Sequence, residues 1–220
     1  MNYRQTVILI LIYVLVGTLW LSAGDTNKKN VPQSADNICP LLVGRKIPTV
    51  TLKTVDGKSF NLNEAIGQKP TVLIFYRGGW CPYCNLHLNR LKEIEQKLLD
   101  LGYQLIAVST DRPQKLKETL GKNAIKYTLL SDNKMTASRA FGLAFKVPDE
   151  LVKKYKNQYK IDLEDASGET HHLLPVPAAF IIGTDGVIKF GYINPDYKVR
   201  VEPMVLLAAA EAYSHPSTSN

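Results

Sequence analysis

The sequence has no internal repeat, no low-complexity tract and no long run of basic residues. Without repeats or tracts, a single ordinary core accounts for most of the 220 residues. The missing basic run argues against a nucleic-acid partner: 27 Lys+Arg stand against 20 Asp+Glu, a net charge of +7. The two signs are interleaved, as in Lys92-Glu93-Ile94-Glu95 and Lys115-Leu116-Lys117-Glu118, which reads as a soluble surface with a mild basic excess. Cysteine is scarce, with 3 in the chain. There is no second CxxC and no His-x₃₋₅-His, so a structural zinc site would lack two of its ligands. Hydrophobic residues at 45%, charged residues at 21%, 14 Gly and 12 Pro exclude a collagenous, mucin-like or wholly disordered chain.

Charge is absent altogether between Gln5 and Gly24, and Val7 to Leu21 is almost wholly aliphatic. Arg4 and the free amine precede this stretch, and Ser22-Ala23-Gly24 supplies small residues after it, the pattern of a cleaved signal peptide. The run also approaches the roughly 20 apolar residues of a spanning helix, so a retained membrane anchor is the other reading. Both place the rest of the chain outside the cytoplasm, periplasmic or membrane-anchored. Residues 1–24 are therefore read as signal or anchor, 25–38 as a polar linker, 39–213 as the folded domain and 214–220 as a tail.

Within the domain, short alternating runs at Thr49 to Leu52 and Ser59 to Leu62 flank Asp56-Gly57, predicting a hairpin with a type I′ turn. Thr71 to Tyr76 is continuously apolar, as in a strand buried on both faces. Leu88, Leu91, Ile94, Leu98 and Leu101 then recur at spacings of three and four, predicting an amphipathic helix from Cys84 to Gly102. Gln104 to Ser109 predicts a second buried strand. A helix follows from Asp111-Arg112-Pro113, with Asp111 as its cap, to Gly121. A shorter strand and helix cover Tyr127 to Leu130 and Met135 to Phe141. Phe145 to His172 breaks the rhythm and reads as an insertion containing a basic helix, Asp149 to Gln158. Strands at Ala178 to Ile182 and Val187 to Tyr192, joined by Asp185-Gly186, and a helix at Pro203 to Tyr213 complete an α/β order. Right-handed crossovers make its first half a parallel sheet covered on both faces by helices.

The chemistry concentrates where the first long strand meets its helix, Phe75-Tyr-Arg-Gly-Gly-Trp-Cys-Pro-Tyr-Cys-Asn85. In a CxxC at a helix N-terminus the unpaired amides stabilise a thiolate, and the spacing lets one thiol resolve a mixed disulfide formed by the other. Arg77 adds to that field. A purely structural disulfide is the alternative in an exported protein.

Cys39 to Tyr213 resembles the thioredoxin-fold superfamily, and within it the peroxiredoxin-like branch of the alkyl hydroperoxide reductase/thiol-specific antioxidant family. The resemblance lies in Val43-Gly-Arg-Lys-Ile-Pro-Thr-Val-Thr-Leu52, Val72-Leu-Ile-Phe-Tyr76, Trp80-Cys-Pro-Tyr-Cys84, Leu130-Ser-Asp132, Phe141-Gly142 and Phe180-Ile-Ile-Gly-Thr-Asp-Gly186. It implies a thioredoxin-like fold: a central mixed sheet flanked by helices, with an N-terminal β-hairpin and an insertion before the final hairpin. By that resemblance Cys84 matches the peroxide-attacking cysteine, and Cys81 stands where peroxiredoxins have Thr or Ser. The substitution produces the dithiol of thioredoxin and glutaredoxin proteins, whose attacking residue is the first cysteine, here Cys81. Peroxiredoxins also carry an arginine shortly before the late strand, where this chain has Val176-Pro177. Thioredoxin proteins have a cis-proline there, so a cis Pro177 with a free backbone edge is expected to bind substrate, an ordinary trans-proline at a strand start being the alternative, and Trp80 is expected to shape the rim with Tyr83.

The expected function is an antioxidant-type thiol-disulfide oxidoreductase cycling between a Cys81/Cys84 dithiol and disulfide, with no cofactor. Its partners would be protein or small-molecule thiols and disulfides, hydroperoxides and a thioredoxin-type reductant. A peroxiredoxin-type peroxidase with Cys84 attacking is the alternative. A copper(I)-binding assembly factor using the dithiol with His171 or His172 is an alternative of another class. Cys39 is left to resolve an oxidised Cys84, to pair with another chain or to pack. His87 is an exposed helix residue or a tuner of the thiolate, and Arg139 and Arg200 are candidate replacements for the missing arginine.

Overall fold

Apolar periodicity translates into elements with few surprises across residues 31–214, the part that the computed structural model describes. The apolar run at Val7 to Leu21 lies outside these residues, as does the tail beyond Ser214. Among the described residues no helix is long and apolar enough to cross a membrane. In chain order, β1 (Thr51–Thr54) and β2 (Ser59–Asn61) lead into α1 (Leu62–Gln68), and β3 (Thr71–Tyr76) into α2 (Pro82–Asp100). β4 (Gln104–Ser109) precedes α3 (Pro113–Asn123), and β5 (Thr128–Ser131) precedes α4 (Thr136–Ala140). The next segment holds β6 (Ala144–Lys146), α5 (Asp149–Gln158), α6 (Leu163–Ser167) and β7 (Leu173–Pro175). β8 (Ala178–Ile182), β9 (Ile188–Ile193) and α7 (Pro203–Ser214) follow.

The main sheet has the order β2-β1-β5-β4-β3-β8-β9. β3, β4 and β5 run parallel, as their helical crossovers require, and β1, β2, β8 and β9 pair antiparallel to their neighbours. β3 is buried along its whole length, so its alternate residues feed two cores. Val72, Ile74 and Tyr76 pack with Leu88, Leu91, Ile94 and Leu98 of α2 on one face. Leu73 and Phe75 pack with Phe141 and Phe180 on the other. Each of those α2 side chains contributes about 1.5–3 kcal/mol by leaving water, which fixes the helix and the cysteines at its start.

Three local readings need correction. Only Gly57 and Gly186 take positive φ in the two hairpin turns, whereas a type I′ turn also needs its preceding residue there. Asp111 does not cap α3; Arg112 occupies that position without a side-chain bond, and the Asp111 carboxylate is used elsewhere. Residues 31–38, assigned to the linker, include Val31 and Ile38 packed against the cores. Lys46, just before β1, also bridges to Val187.

The insertion is closed by its own ladder. β6 and β7 pair antiparallel through Ala144↔Pro175, Phe145↔Leu174 and Lys146↔Leu173, and the Val147 N–H donates to the His172 carbonyl at 2.9 Å. Beyond that stem, Tyr155 and Leu163 join Val147 and Leu174 in a small core of their own, against which Trp80 packs. The Arg112 amide donates to the Ala166 carbonyl at 2.8 Å, and Arg112 and Lys115 of α3 pair with Asp165 at 2.5 and 2.9 Å.

Candidate active site

Cys81 is the N-cap of α2, with Pro82 in the first turn, where the missing amide of proline costs nothing. Cys84 follows three residues later on the same helix, a spacing that puts side chains side by side. The preceding loop is held from two directions. The Gly79 amide donates to Asp111 Oδ2 at 2.7 Å, and its carbonyl accepts from Asn85 Nδ2 at 2.7 Å. A Cβ at Gly79 would lie 1.9 Å from Thr119 Oγ1, so any side chain there would push α3 away from the loop.

Both cysteines are free thiols and both are buried. Their charges nevertheless separate. Burial alone would raise the Cys84 pKa, but a hydrogen bond from Cys81, the Arg200 charge, the Arg77 amide and the Arg77 charge together lower it to about 6. Arg200 Nη2 donates to Cys84 Sγ at 3.5 Å. Cys81, donating to Cys84 and desolvated beside it, is pushed up instead. A helix N-terminus by itself favours a thiolate at Cys81, but the arginine and the amide that reach Cys84 outweigh it. The thiolate of the pair is Cys84.

Cys84 is fully buried. Its neighbour Arg200 borders, with His87, Pro177 and Phe75, a cavity of about 10 Å³. His87 is buried, not exposed, and burial with the nearby Arg200 and Arg90 charges lowers its pKa to about 4, so it stays neutral. His87 Nε2 and Arg200 Nε have no partner. Behind the loop, burial raises Asp111 to about 7, and its Oδ1 is likewise unpartnered.

Around Cys81 the space is wide. A cavity of about 400 Å³ opens beside it, walled by Trp80, Tyr83, Tyr155, Tyr159, Ile161 and Tyr197 with Arg77 among them. The Arg77 guanidinium is buried, 4.1 Å from the Tyr197 ring centroid, 4.9 Å from Trp80 and 5.5 Å from Tyr155, and donates to the Tyr155 hydroxyl at 2.5 Å.

The remaining sequence candidates divide. The Val176-Pro177 bond is trans, since the described residues contain no cis peptide. Nor is the backbone beside it free, because the Val176 amide donates to the Leu143 carbonyl at 2.9 Å. Docking of a substrate strand on a cis Pro177 therefore loses its basis, although Pro177 does border the small cavity. His171 and His172 are engaged away from the cysteines: His171 with the Asn133 carbonyl at 2.7 Å, His172 with Glu164 at 2.9 Å. Among the described residues no His, Cys, Asp and Glu cluster could hold a metal ion, which leaves the copper(I) reading without a site. Cys39 is exposed and Arg139 lies on the surface. Tyr155, Tyr159, Tyr197 and Asp111 were not legible as site residues; the three tyrosines carry no motif, and Asp111 read as a helix cap.

Comparison with known proteins agrees with this architecture. The AhpC/TSA family model matches residues 43–190. Over 135 residues the chain is 30% identical to peroxiredoxin Bcp of Escherichia coli K12, covering 61% of this chain and 85% of that protein. Among solved structures, reduced Prx3 in complex with H₂O₂ from Vibrio vulnificus superposes with a TM-score of 0.65 at 19% identity, covering 80% of this chain and 99% of that one. Peroxidoxin BcpB from Mycobacterium tuberculosis gives 0.59 at 20%, covering 77% and 96%. Arg200 lies beyond the family match and α5 inside it. The chain belongs to the AhpC/TSA family and is a thioredoxin-fold, peroxiredoxin-like oxidoreductase.

Proposed function

We propose that the chain is a peroxiredoxin-type thiol peroxidase in which Cys84 attacks the hydroperoxide and Cys81 resolves the product. The single observation that carries this reading is the Arg200 guanidinium at 3.5 Å from Cys84 Sγ, which supplies from another element the cation missing before the late strand. It favours the peroxidase over an exchange enzyme that attacks through Cys81, because the thiolate is the nucleophile. The Cys84 thiolate attacks the terminal peroxide oxygen: an S–O bond forms, the O–O bond breaks, the hydroperoxide's proton stays on the new sulfenic acid, and the leaving oxygen takes a proton from solvent and departs as alcohol or water. Arg200 stabilises the negative charge as it passes from sulfur to that oxygen. Cys81 then attacks the Cys84 sulfenic acid: an S–S bond forms, the S–O bond breaks, and the hydroxyl leaves as water with the Cys81 proton. The two residues share one helical end, so resolution needs no unwinding of α2. A thiol reductant, a thioredoxin-type protein among the candidates, restores the dithiol.

The test is stopped-flow mixing of reduced full-length protein with hydrogen peroxide. Cys84→Ser is expected to abolish peroxide consumption. Cys81→Ser is expected to keep a first turnover near the parent rate and to accumulate sulfenic acid trapped by dimedone. If Cys81→Ser is the dead variant and Cys84→Ser the live one, the assignment is reversed and the exchange reading returns. The apolar run at Val7 to Leu21 supports export, with cleavage or retention decided by fractionation and N-terminal sequencing.

A further inference from the structure

The mechanism above leaves the aromatic cavity unused, and its volume of about 400 Å³ suits a small organic molecule, far more than a peroxide needs. Cys81 borders it and Cys84 does not. Its chemistry is one-sided. No Asp or Glu lines it, and Arg77 has no carboxylate partner among the described ion pairs. At the rim, Lys154 Nζ lies 5.8 Å from the Tyr159 ring centroid and Lys198 Nζ lies 6.0 Å from that of Tyr197. A wall of rings with uncompensated positive charge suits an apolar body bearing a carboxylate and repels an ammonium.

The bordering sulfur says what such a molecule does. In the Cys81–Cys84 disulfide, an incoming thiolate that attacks Cys81 expels Cys84, the better leaving group with Arg200 already beside it. Cys84 is fully buried and does not border the aromatic cavity, which disfavours attack there. We propose that the aromatic cavity is the entry site of the reducing substrate, and that this substrate is a small organic thiol carrying a carboxylate. The inference rests on the peroxidase reading only in needing a Cys81–Cys84 disulfide. The thiolate forms an S–S bond to Cys81 as the Cys81–Cys84 bond breaks and its electron pair departs with Cys84. A second thiolate attacks the substrate sulfur of this mixed disulfide. The substrate leaves as its own disulfide, and Cys81 takes a proton from water. Two thiols are oxidised and one protein disulfide is reduced.

The experiment uses the full chain, oxidised in one arm by a single equivalent of hydrogen peroxide and in the other by diamide. Each sample is mixed with 3-mercaptopropionate, 2-mercaptoethanol or cysteamine, and rates are expressed per thiolate. The carboxylate thiol is expected to react about tenfold faster than the neutral one and cysteamine slower still, with the spread shrinking as salt rises. Lys154→Glu and Lys198→Ala, both at exposed rim positions, should compress that spread several-fold while the reduced variants consume peroxide at the parent rate. Equal per-thiolate rates for all three thiols would overturn the proposal. So would a spread that both variants leave intact, or reduction by thioredoxin that outpaces every small thiol and ignores both variants. If peroxide fails to form the disulfide while diamide succeeds, the peroxidase reading falls and the diamide arm still decides the entry site.

Discussion

Cys81 and Cys84 belong to one turn of one helix, yet their surroundings share almost nothing. Cys84 is fully buried beside a guanidinium, and Cys81 borders about 400 Å³ of aromatic wall. Sequence distance therefore does not set chemical role. α2 delivers both sulfurs to one point, and elements far along the chain decide what each can do. The segment around Arg200 makes a nucleophile of Cys84, and the α5 insertion makes an accessible electrophile of an oxidised Cys81.

The sharpest way to break this contrast is to remove its cation. Arg200→Met should slow peroxide consumption at neutral pH by roughly a hundredfold, because a buried thiolate loses its charge-assisted partner. The pH profile carries the sign. The parent rate should rise with pH through about 6 and then level as the thiolate fraction saturates, and in the variant that midpoint should move upward. An unmoved midpoint in a folded variant would mean that Arg200 does not set the thiolate.

His87 sharpens the same side through stability. Its pKa falls from 6.5 to about 4 in the folded protein, so the unfolded chain takes up a proton first as the medium acidifies. Stability should be complete above about pH 6.5 and decline as pH falls toward 4, by roughly 2–3 kcal/mol from this residue. Urea unfolding of His87→Gln across that range should show a flatter acid limb than the parent. Parallel curves would count against a buried neutral imidazole.

On the open side, Tyr155→Phe deletes the hydroxyl that accepts from Arg77. We expect a loss of about 1–2 kcal/mol in thermal or urea unfolding, with the peroxide midpoint unchanged. A shifted midpoint would show that the two sides are not separate.

The effect on the thiolate is expected to be smallest behind both. Asp111 is raised to about 7, so its ionisation opposes folding between the unfolded carboxylate range and that pH. Asp111→Asn should be the more stable protein near pH 8, the gain vanishing toward pH 4. It should also lower the Cys84 midpoint by a few tenths of a unit, since a nearby negative charge is removed. A variant equally displaced at both ends of the pH range would point to the lost Gly79 contact instead.

The parts of this picture that were legible in the sequence are those written in local periodicity. The run Thr71 to Tyr76, the Leu88 to Leu98 stripe and the CxxC between them depend on neighbours within a few residues, and the structure keeps all three. Arg200 could be named but not chosen, because nothing in Tyr197-Lys-Val-Arg200 distinguishes it from Arg139; only the return of the chain after β9 carries it to the sulfur. His87 falls at a position that could face either way. Its burial comes from the segment around Val201 packing over α2, a contact without a sequence signature. Asp111 obeys the rule for a cap, but the half-buried amide of Gly79 competes for the same carboxylate and takes it. The aromatic wall is the extreme case, drawing Trp80, Tyr155 and Tyr197 from three separate regions.

The stem of the insertion has a consequence for protein engineering. β6 and β7 bring residues 147 and 172 together in a ladder that is complete before α5 begins, and the enclosed segment meets the rest through bonds to Arg77, Arg112, Lys115 and Asn133 and through Trp80 packed on its small core. Segments whose two ends meet tolerate exchange far better than those that thread through a core. A different loop grafted between Val147 and His172 would therefore redraw the aromatic wall while leaving α2, Arg200 and the nucleophile in place. The molecule is in effect a cartridge holder, with the oxidation chemistry in the frame and substrate choice in the part that can be swapped.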